Sequence, residues 1–341
     1  MGANRPHLVY SSAFIHMTMT GKPKLFVTRK LTQDVEDRIA EAYEPVFNDD
    51  DHIMGPAELA EKAQGCDGAL VTTTERIDAS FIEAMPDSLK IVATFSVGYD
   101  HIDVPAAEAR GIAVTNTPDV LTDATADTAL LLMLGAARGA VWGERMVREA
   151  TWKSWSPTHP LGHDVTGRKL AILGMGRIGQ AVARRARGFD MEIHYHKRTR
   201  LPAEQEQGAV YHDTLEGLLA NGEFLSINCA STPETRRLIN EQTIAMLPDG
   251  AILINTARGD VVDDDALIAA IESGKLAAAG LDVFAGEPAI DERYRTLKNT
   301  FLLPHIGSAT LGTRSAMGMR AVDNLDAFFA GKTPGDLITA G

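Results

Sequence analysis

Short apolar runs alternate with amphipathic stretches along most of this chain. Residues 68–72 and 91–94 are mostly apolar, which is typical of strands buried on both faces of a parallel sheet. Residues 78–85 between them have the spacing of a helix. This order predicts a parallel sheet with helices on its faces. The same series includes predicted strands at residues 24–28 and 111–115 and a predicted helix at residues 34–43.

A second strand–helix series begins near Arg168. One helix is predicted over residues 123–149, before this series, and a last helix over residues 313–329 is expected to pack on the first domain. Six strands with helices between them predict a doubly wound dinucleotide-binding domain. These strands are predicted at residues 170–173, 191–195, 224–228, 251–255, 280–283 and 301–303.

A glycine-rich turn follows the first strand of this second series. It reads Gly174-Met175-Gly176-Arg177-Ile178-Gly179. Between a strand and a helix start, this spacing is typical of a dinucleotide site: the glycines permit a tight turn, approach of a pyrophosphate, and close helix packing. The helix N-terminus offers free N–H groups to the anion. A chance turn is the alternative, and the flanking elements favour the cofactor.

The position of this turn predicts the domain organisation. About 170 residues precede it, which is enough for another domain. We therefore expect an α/β protein with two doubly wound parallel-sheet domains. Residues 118–307 would form a Rossmann NAD(P)-binding domain, inserted into a flavodoxin-like substrate domain made of residues 21–117 and 308–341. Residues 1–20 are expected to be a disordered N-terminal extension.

Composition restricts the partners. The 341 residues are 45% hydrophobic and 23% charged, with a formal net charge of −13. Without a strongly basic stretch or an apolar run of roughly 20 residues, neither nucleic acid nor a membrane is an expected partner. Cys66 and Cys229 give no disulfide framework and no metal-ligand spacing. We expect no metal site and a cytoplasmic location.

The second strand of the dinucleotide series is followed by cations. It ends Tyr195-His196-Lys197-Arg198-Thr199-Arg200. An acidic residue at this position would bind the ribose 2′-OH of NAD, whereas cations suit a 2′-phosphate. A solvated basic loop is the alternative. Three cations on an acidic protein favour NADP(H) over NAD(H) as the cofactor.

Three polar residues follow strands of the second series, where ligands bind in open α/β sheets. Each alone has an ordinary structural interpretation: an arginine in a turn, an exposed glutamate, a hydrogen-bonded histidine. Together they indicate a catalytic site. They are Arg258 after residues 251–255, Glu287 after residues 280–283, and His305 after residues 301–303.

Several segments, taken in order, resemble the D-isomer specific 2-hydroxyacid dehydrogenases. The resemblance covers residues 24–330, and residues 116–122 with the missing acidic residue look most like the glyoxylate/hydroxypyruvate reductase branch. The segments are residues 96–103, the glycine turn at 174–179, and residues 255–260, 280–288 and 304–308.

The resemblance implies NADPH-dependent reduction of glyoxylate and hydroxypyruvate to D-2-hydroxy acids. Arg258 would hold the substrate carboxylate and polarise the keto oxygen, and His305 would donate the proton. Glu287 would pair with His305, because a nearby carboxylate favours imidazolium. Backbone N–H groups of Val97 and Gly98 would bind the carboxylate from the first domain. Domain closure would exclude water around His305.

The implied cofactor contacts extend along the second series. Asp282 would lie near the nicotinamide, and Lys197 and Arg198 near the 2′-phosphate. The full set is Gly174, Met175, Gly176, Arg177, Ile178, Gly179, Lys197, Arg198, Thr199, Thr128, Thr232, Pro233, Thr256, Ala257, Arg258, Asp282, His305 and Gly307.

Trp152 and Trp155 have two interpretations. The one favoured from the residues is packing under a helix end. The resemblance instead implies a homodimer contact, in which Trp155 would reach the partner's active site and select two- or three-carbon keto acids.

Two other functions stay open. The chain could act on larger 2-keto acids, or it could be a nucleotide-sensing corepressor-like binding protein. A panel of keto acids distinguishes an enzyme for larger substrates from a glyoxylate/hydroxypyruvate reductase. Turnover of hydroxypyruvate distinguishes an enzyme from a corepressor-like protein. The complete set of Arg258, Glu287 and His305 favours an enzyme.

Overall fold

The computed structural model describes residues 21–340. The chain divides into two compact units, one ending at Val120 and resuming at Leu311, the other running Leu121–Thr310. These divisions fall three residues beyond the predicted limits of 117 and 307. The predicted N-terminal extension, residues 1–20, lies outside the described residues.

Strands and helices alternate through both units. In chain order the strands are β1 (Lys24–Val27), β2 (Glu44–Phe47), β3 (Gly68–Val71), β4 (Ile91–Thr94), β5 (Ala113–Thr115), β6 (Lys169–Leu173), β7 (Glu192–His196), β8 (Val210–His212), β9 (Phe224–Ile227), β10 (Ala251–Asn255), β11 (Leu276–Leu281), β12 (Thr300–Leu302) and β13 (Leu337–Ile338). The α-helices are α1 (Gln33–Ala42), α2 (Pro56–Lys62), α3 (Ala79–Ala84), α4 (Val104–Ala109), α5 (Thr122–Arg138), α6 (Ala140–Arg148), α7 (Arg177–Ala186), α8 (Ala203–Glu206), α9 (Leu215–Leu219), α10 (Glu241–Ala245), α11 (Asp264–Ser273) and α12 (Leu311–Phe329).

The first unit is built on a 6-stranded sheet in the order β2-β1-β3-β4-β5-β13. All neighbours run parallel except β13, which is antiparallel to β5. Strands β3 and β4 are buried at every position, as expected where helices cover both faces. Helix α12 packs on α1 so closely that a Cβ at Gly318 would lie 2.6 Å from Val35.

The second unit is built on a 7-stranded sheet in the order β8-β7-β6-β9-β10-β11-β12. Every pair is parallel, and the order is that of a doubly wound dinucleotide domain with a seventh strand added at one edge. Two apolar clusters fill the two faces of this sheet. The fold prediction, two parallel-sheet α/β domains with a Rossmann domain, is confirmed. The sequence predicted six strands in this sheet, whereas the structure has seven, because β8 was not predicted.

The prediction of one helix over residues 123–149 is wrong. Gly139 adopts the left-handed conformation (φ 59°) and ends α5, and α6 leaves at 68° to it. Only glycine fits there, because a Cβ would lie 1.9 Å from the Trp142 ring. Among the described helices none alone has the length and apolarity to cross a membrane, and only the bent pair α5 and α6 meets that criterion together.

Candidate active site

The glycine turn has the geometry that its spacing predicts. Gly174 has a φ of +94°, and a Cβ there would lie 2.8 Å from the Asn228 carbonyl oxygen. A Cβ on Gly179 would lie 2.3 Å from the Gly174 oxygen, so α7 packs directly on the turn. A Cβ on Gly176, which precedes α7, would meet no other atom within 4 Å. The backbone is therefore open to a ligand at the helix N-terminus.

Two buried polar atoms at the ends of neighbouring strands also fit a dinucleotide. Asn228 follows β9 and Thr256 follows β10. Asn228 Oδ1 and Thr256 Oγ1 have no hydrogen-bond partner among the described residues, which in a native interior calls for a ligand or water. The hydroxyl and carboxamide groups of a nicotinamide dinucleotide supply such partners. Thr256 was predicted; Asn228 was missed, although its place beside the glycine turn was a usable signal.

The cations after β7 divide into two kinds. Arg200 is held by Glu206, at 2.7 Å for Nε–Oε1 and 3.0 Å for Nη2–Oε2. Tyr195 also donates to Glu206, at 2.6 Å. Together Arg200 and Tyr195 lower the pKa of Glu206 to about 2. Lys197 and Arg198 form no ion pair with another described residue, so their charges are available to an anion. The His196 carbonyl accepts from Gly174 N–H at 3.0 Å, which ties this loop to the glycine turn.

His305 and Glu287 form a hydrogen-bonded pair through Nδ1 and Oε1. Glu287 Oε2 accepts the Phe284 N–H at 3.0 Å. Burial raises the pKa of Glu287, but the hydrogen bond and charge of His305, the Phe284 N–H and the charge of Arg258 outweigh it. The net pKa lies below the ordinary value, so Glu287 is ionised at neutral pH. His305 Nε2 makes no hydrogen bond within the described chain, and the side chain is 39% exposed.

His305 has a strained backbone, with a φ of 55°. For a residue with a side chain this conformation costs about 1–3 kcal/mol, and the surroundings must hold it. Asp282 does so: its carbonyl accepts His305 N–H at 2.8 Å, and its two carboxylate oxygens accept the N–H groups of Ile306 and Gly307 at 2.7 Å each. Burial raises the pKa of Asp282, although these donors oppose the shift. Asp282 therefore positions the imidazole.

Arg258 lies on a turn shaped by Asn255. The Asn255 side chain donates to the Arg258 carbonyl at 2.8 Å and accepts from Ala257 N–H at 2.9 Å. The next residue, Gly259, packs on the chain at Phe284, where a Cβ would lie 1.9 Å from the Phe284 carbonyl carbon. This packing brings Arg258 within electrostatic reach of Glu287. The predicted trio of Arg258, Glu287 and His305 thus meets at one edge of the second sheet. Asn255 was missed because its role is visible only in the folded turn.

The other predicted cofactor residues lie near this edge with different environments. Met175 is 1% exposed and packs in the apolar core, so only its main chain can face a ligand. Thr128 lies on α5 and donates to the Ala124 carbonyl at 3.1 Å. Thr232 donates to Glu234 at 2.7 Å, in a turn that includes Pro233. Arg177 and Ile178 begin α7, and Thr199 is exposed after β7.

Val97 and Gly98 lie in the first unit, just after β4. The Ser96 carbonyl accepts from Thr117 N–H at 2.9 Å, and the Val97 carbonyl accepts from Asn116 Nδ2 at 2.8 Å. The N–H groups of Val97 and Gly98 donate to no atom of the described chain. Both residues are half-buried.

The tryptophan prediction is corrected. Trp152 is 58% exposed and Trp155 79% exposed, so the interpretation of packing under a helix end is wrong. Both side chains lie largely at the surface of the second unit, and the Trp152 indole N–H donates to the Ser154 carbonyl at 3.1 Å. Within residues 21–340, no cluster of three or more His, Cys, Asp or Glu side chains has the arrangement of a metal site.

A Rossmann sheet with a histidine–glutamate pair and an arginine at its carboxyl edge defines the class as a dinucleotide-dependent oxidoreductase. The family model described as D-isomer specific 2-hydroxyacid dehydrogenase, NAD binding domain, matches residues 130–307. The chain belongs to this family, and the resemblance found in the sequence is confirmed.

Relatives are similar over nearly the whole chain. Glycerate dehydrogenase of Hyphomicrobium methylovorum is 45% identical over 312 residues, covering 91% of this chain and 97% of that protein. Glyoxylate reductase of Thermococcus onnurineus is 44% identical over 322 residues, covering 93% and 96%. Among solved structures, the NADPH-dependent glyoxylate/hydroxypyruvate reductase of Sinorhizobium meliloti with NADP and malonate is 36% identical, with a TM-score of 0.84 and coverage of 93% and 97%.

Proposed function

We propose that this protein reduces small 2-keto acids, glyoxylate and hydroxypyruvate, to D-2-hydroxy acids with NADPH. One observation carries the proposal: His305 is oriented through Nδ1 by an ionised Glu287, which lies within electrostatic reach of Arg258, and its Nε2 stays available. A proton donor next to a carboxylate-binding cation is what reduction of a 2-keto acid requires. Relatives named glyoxylate reductase and glycerate dehydrogenase support the same substrate class.

Each residue then has a stated task. Bound NADPH supplies the hydride that reaches the keto carbon. Arg258 holds the substrate carboxylate and polarises the keto oxygen with its planar cation. His305 Nε2 donates a proton to that oxygen as negative charge develops on it. Glu287 orients the ring through Nδ1, and Asp282 holds the loop that carries the ring.

The preference for NADPH rests on Lys197 and Arg198. They have no ion-pair partner among the described residues, and they follow the strand where NAD-binding domains carry an acid. The solved Sinorhizobium meliloti relative is NADPH-dependent. Arg200 is already paired with Glu206, so Lys197 and Arg198 are the proposed contacts of the 2′-phosphate.

The test is steady-state kinetics of the full chain on a panel of 2-keto acids with NADPH and with NADH. We expect the highest kcat/KM with glyoxylate or hydroxypyruvate and NADPH. Higher values with phenylpyruvate or branched acids would establish the larger-substrate alternative. No turnover of any acid, together with dinucleotide-dependent binding of a protein partner, would instead favour a corepressor-like role.

Arg198→Asp tests the preference for NADPH over NADH directly. The new carboxylate repels a 2′-phosphate, so the ratio of kcat/KM for NADPH to that for NADH is expected to fall about 10²-fold. Arg295→Asp is the matched control, because Arg295 is exposed elsewhere on the unit and the change in charge is the same. An unchanged ratio in Arg198→Asp would remove Arg198 from the cofactor site.

We also propose a homodimer formed through α5, α6 and the segment that follows them. This surface of the second unit exposes Leu131 (49%), Val147 (64%), Trp152 (58%), Trp155 (79%) and Leu161 (71%), an apolar set of the kind that marks an interface. By the family resemblance, Trp155 would reach the substrate site of the partner and limit the substrate to two or three carbons.

Sedimentation equilibrium tests the dimer. The wild type should sediment at twice the chain mass of 36.7 kDa, and Val147→Asp should shift it towards the monomer, because a charge in an apolar interface lacks a partner. Ile53→Asp, at a 63% exposed position of the first unit, is the control. A wild type of single-chain mass would refute the proposal.

A further inference from the structure

We propose that Asn116 positions the carboxylate of the substrate by orienting the backbone amide of Gly98, beside that of Val97. The inference rests on the proposed function and on the prediction from the family resemblance that these amides bind that carboxylate together with Arg258. Asn116 itself touches no reacting atom. Its side chain sets the direction of the Gly98 N–H, while the Thr117 N–H, bonded to the Ser96 carbonyl, sets that of the Val97 N–H.

The direction follows from the planarity of the peptide. In a trans peptide the C=O and the following N–H point in opposite directions, and residues 96–98 contain no cis bond. The Ser96 and Val97 carbonyls both accept from the segment after β5, from Thr117 N–H at 2.9 Å and Asn116 Nδ2 at 2.8 Å. The N–H groups of Val97 and Gly98 therefore both point away from that segment.

Two successive N–H groups pointing to one side make an anion-binding concavity. Neither group donates to an atom of the described chain. The next carbonyl, of Gly98, accepts from Ser96 Oγ at 2.6 Å, so it does not turn towards the anion. Without the Asn116 side chain, the Val97–Gly98 peptide loses the bond that selects its orientation.

Asn116 is held in turn by the returning end of the chain. Its carbonyl accepts from Asn324 Nδ2 at 3.2 Å, and its N–H donates to the Asp336 carbonyl at 3.4 Å. Asn324 is 2% exposed and also donates to Asp336 at 2.9 Å. Arg320 pairs with the same carboxylate at 2.6 Å. Helix α12 and the segment before β13 thus brace the residue that orients the Gly98 amide.

The experiment is Asn116→Ala in the full chain. We expect KM for glyoxylate and the dissociation constant of oxamate, a carboxylate probe, to rise about tenfold, the ratio that corresponds to losing one well-placed hydrogen bond. The KM for NADPH should stay within twofold. Asn116→Gln, which keeps a donor, should recover part of the loss.

Asn48→Ala is the matched control. Asn48 is a buried amide of the same unit that also holds backbone carbonyls, those of Thr28 and His52 at 2.8 Å. It should lose comparable thermal stability while keeping the wild-type KM and oxamate affinity. Equal oxamate affinity in Asn116→Ala and wild type would overturn the inference. Oxamate binding reports on Asn116 even if the wild type turns over no keto acid, which is the separate failure of the proposed function.

Discussion

His305→Ala is expected to lower kcat for keto-acid reduction about 10³-fold, the usual size of a general-acid contribution. The variant removes the proton donor and leaves the negative charge on the developing alkoxide without a partner. The fold should persist, because the backbone of residues 305–307 is held by Asp282 and not by the imidazole. Removing the side chain therefore separates chemistry from structure. Single-turnover kinetics with saturating NADPH measure the effect on the hydride-transfer step directly.

The matched control is His52→Ala. His52 forms a similar pair with Glu58, at 2.8 Å between Nε2 and Oε1, on the surface of the first unit. It should keep the wild-type kcat. The dissociation constant of NADPH should be unchanged in His52→Ala. A His305→Ala enzyme with a near-wild-type rate would contradict the assignment of the proton donor.

Arg258→Gln is expected to lower kcat/KM for glyoxylate about 10³-fold, or ~4 kcal/mol, because a carboxylate and a polarised keto oxygen lose a charge-assisted partner. Arg258→Lys retains the charge but loses the planar two-pronged geometry, so it should lose about 10²-fold. The two variants together separate the charge of Arg258 from its shape. Initial rates over a range of glyoxylate concentrations measure both losses.

Arg295→Gln is the control, since Arg295 is exposed and, within residues 21–340, forms an ion pair with Glu292 alone, at 3.2 Å. Oxamate affinity should fall in both Arg258 variants. If Arg258→Gln weakened NADPH binding and left oxamate binding intact, Arg258 would belong to the cofactor site alone.

The sequence predicted those elements whose signal is local. Strands such as β3 and β10 were found because parallel strands covered on both faces are apolar throughout. Strands β2 and β8 were missed because they are short edge strands with exposed or half-buried positions. Gly139 was read as part of a helix, since a glycine within a helical pattern does not reveal its φ.

The candidate site likewise contains residues that the sequence predicted and residues that it did not. The glycine turn, Arg258, Glu287 and His305 were predicted because each follows a recognisable strand. The residues that position them act through space: Asp282 holds a loop 24 residues away in the sequence, and Asn116 depends on Asn324, 208 residues away. No spacing rule on a single sequence indicates such bonds. Their detection needed the folded chain.

The antiparallel strand β13 has a consequence for synthesis. The second unit is one continuous segment, so it can fold as soon as Thr310 has left the ribosome, whereas the first unit must wait for residues that follow it. Until Leu337 and Ile338 pair with β5, that strand keeps an open edge on which another chain could add. The nascent protein thus carries an unfinished sheet through the translation of the roughly 220 residues between Thr115 and Leu337, the interval in which a chaperone would have most to protect.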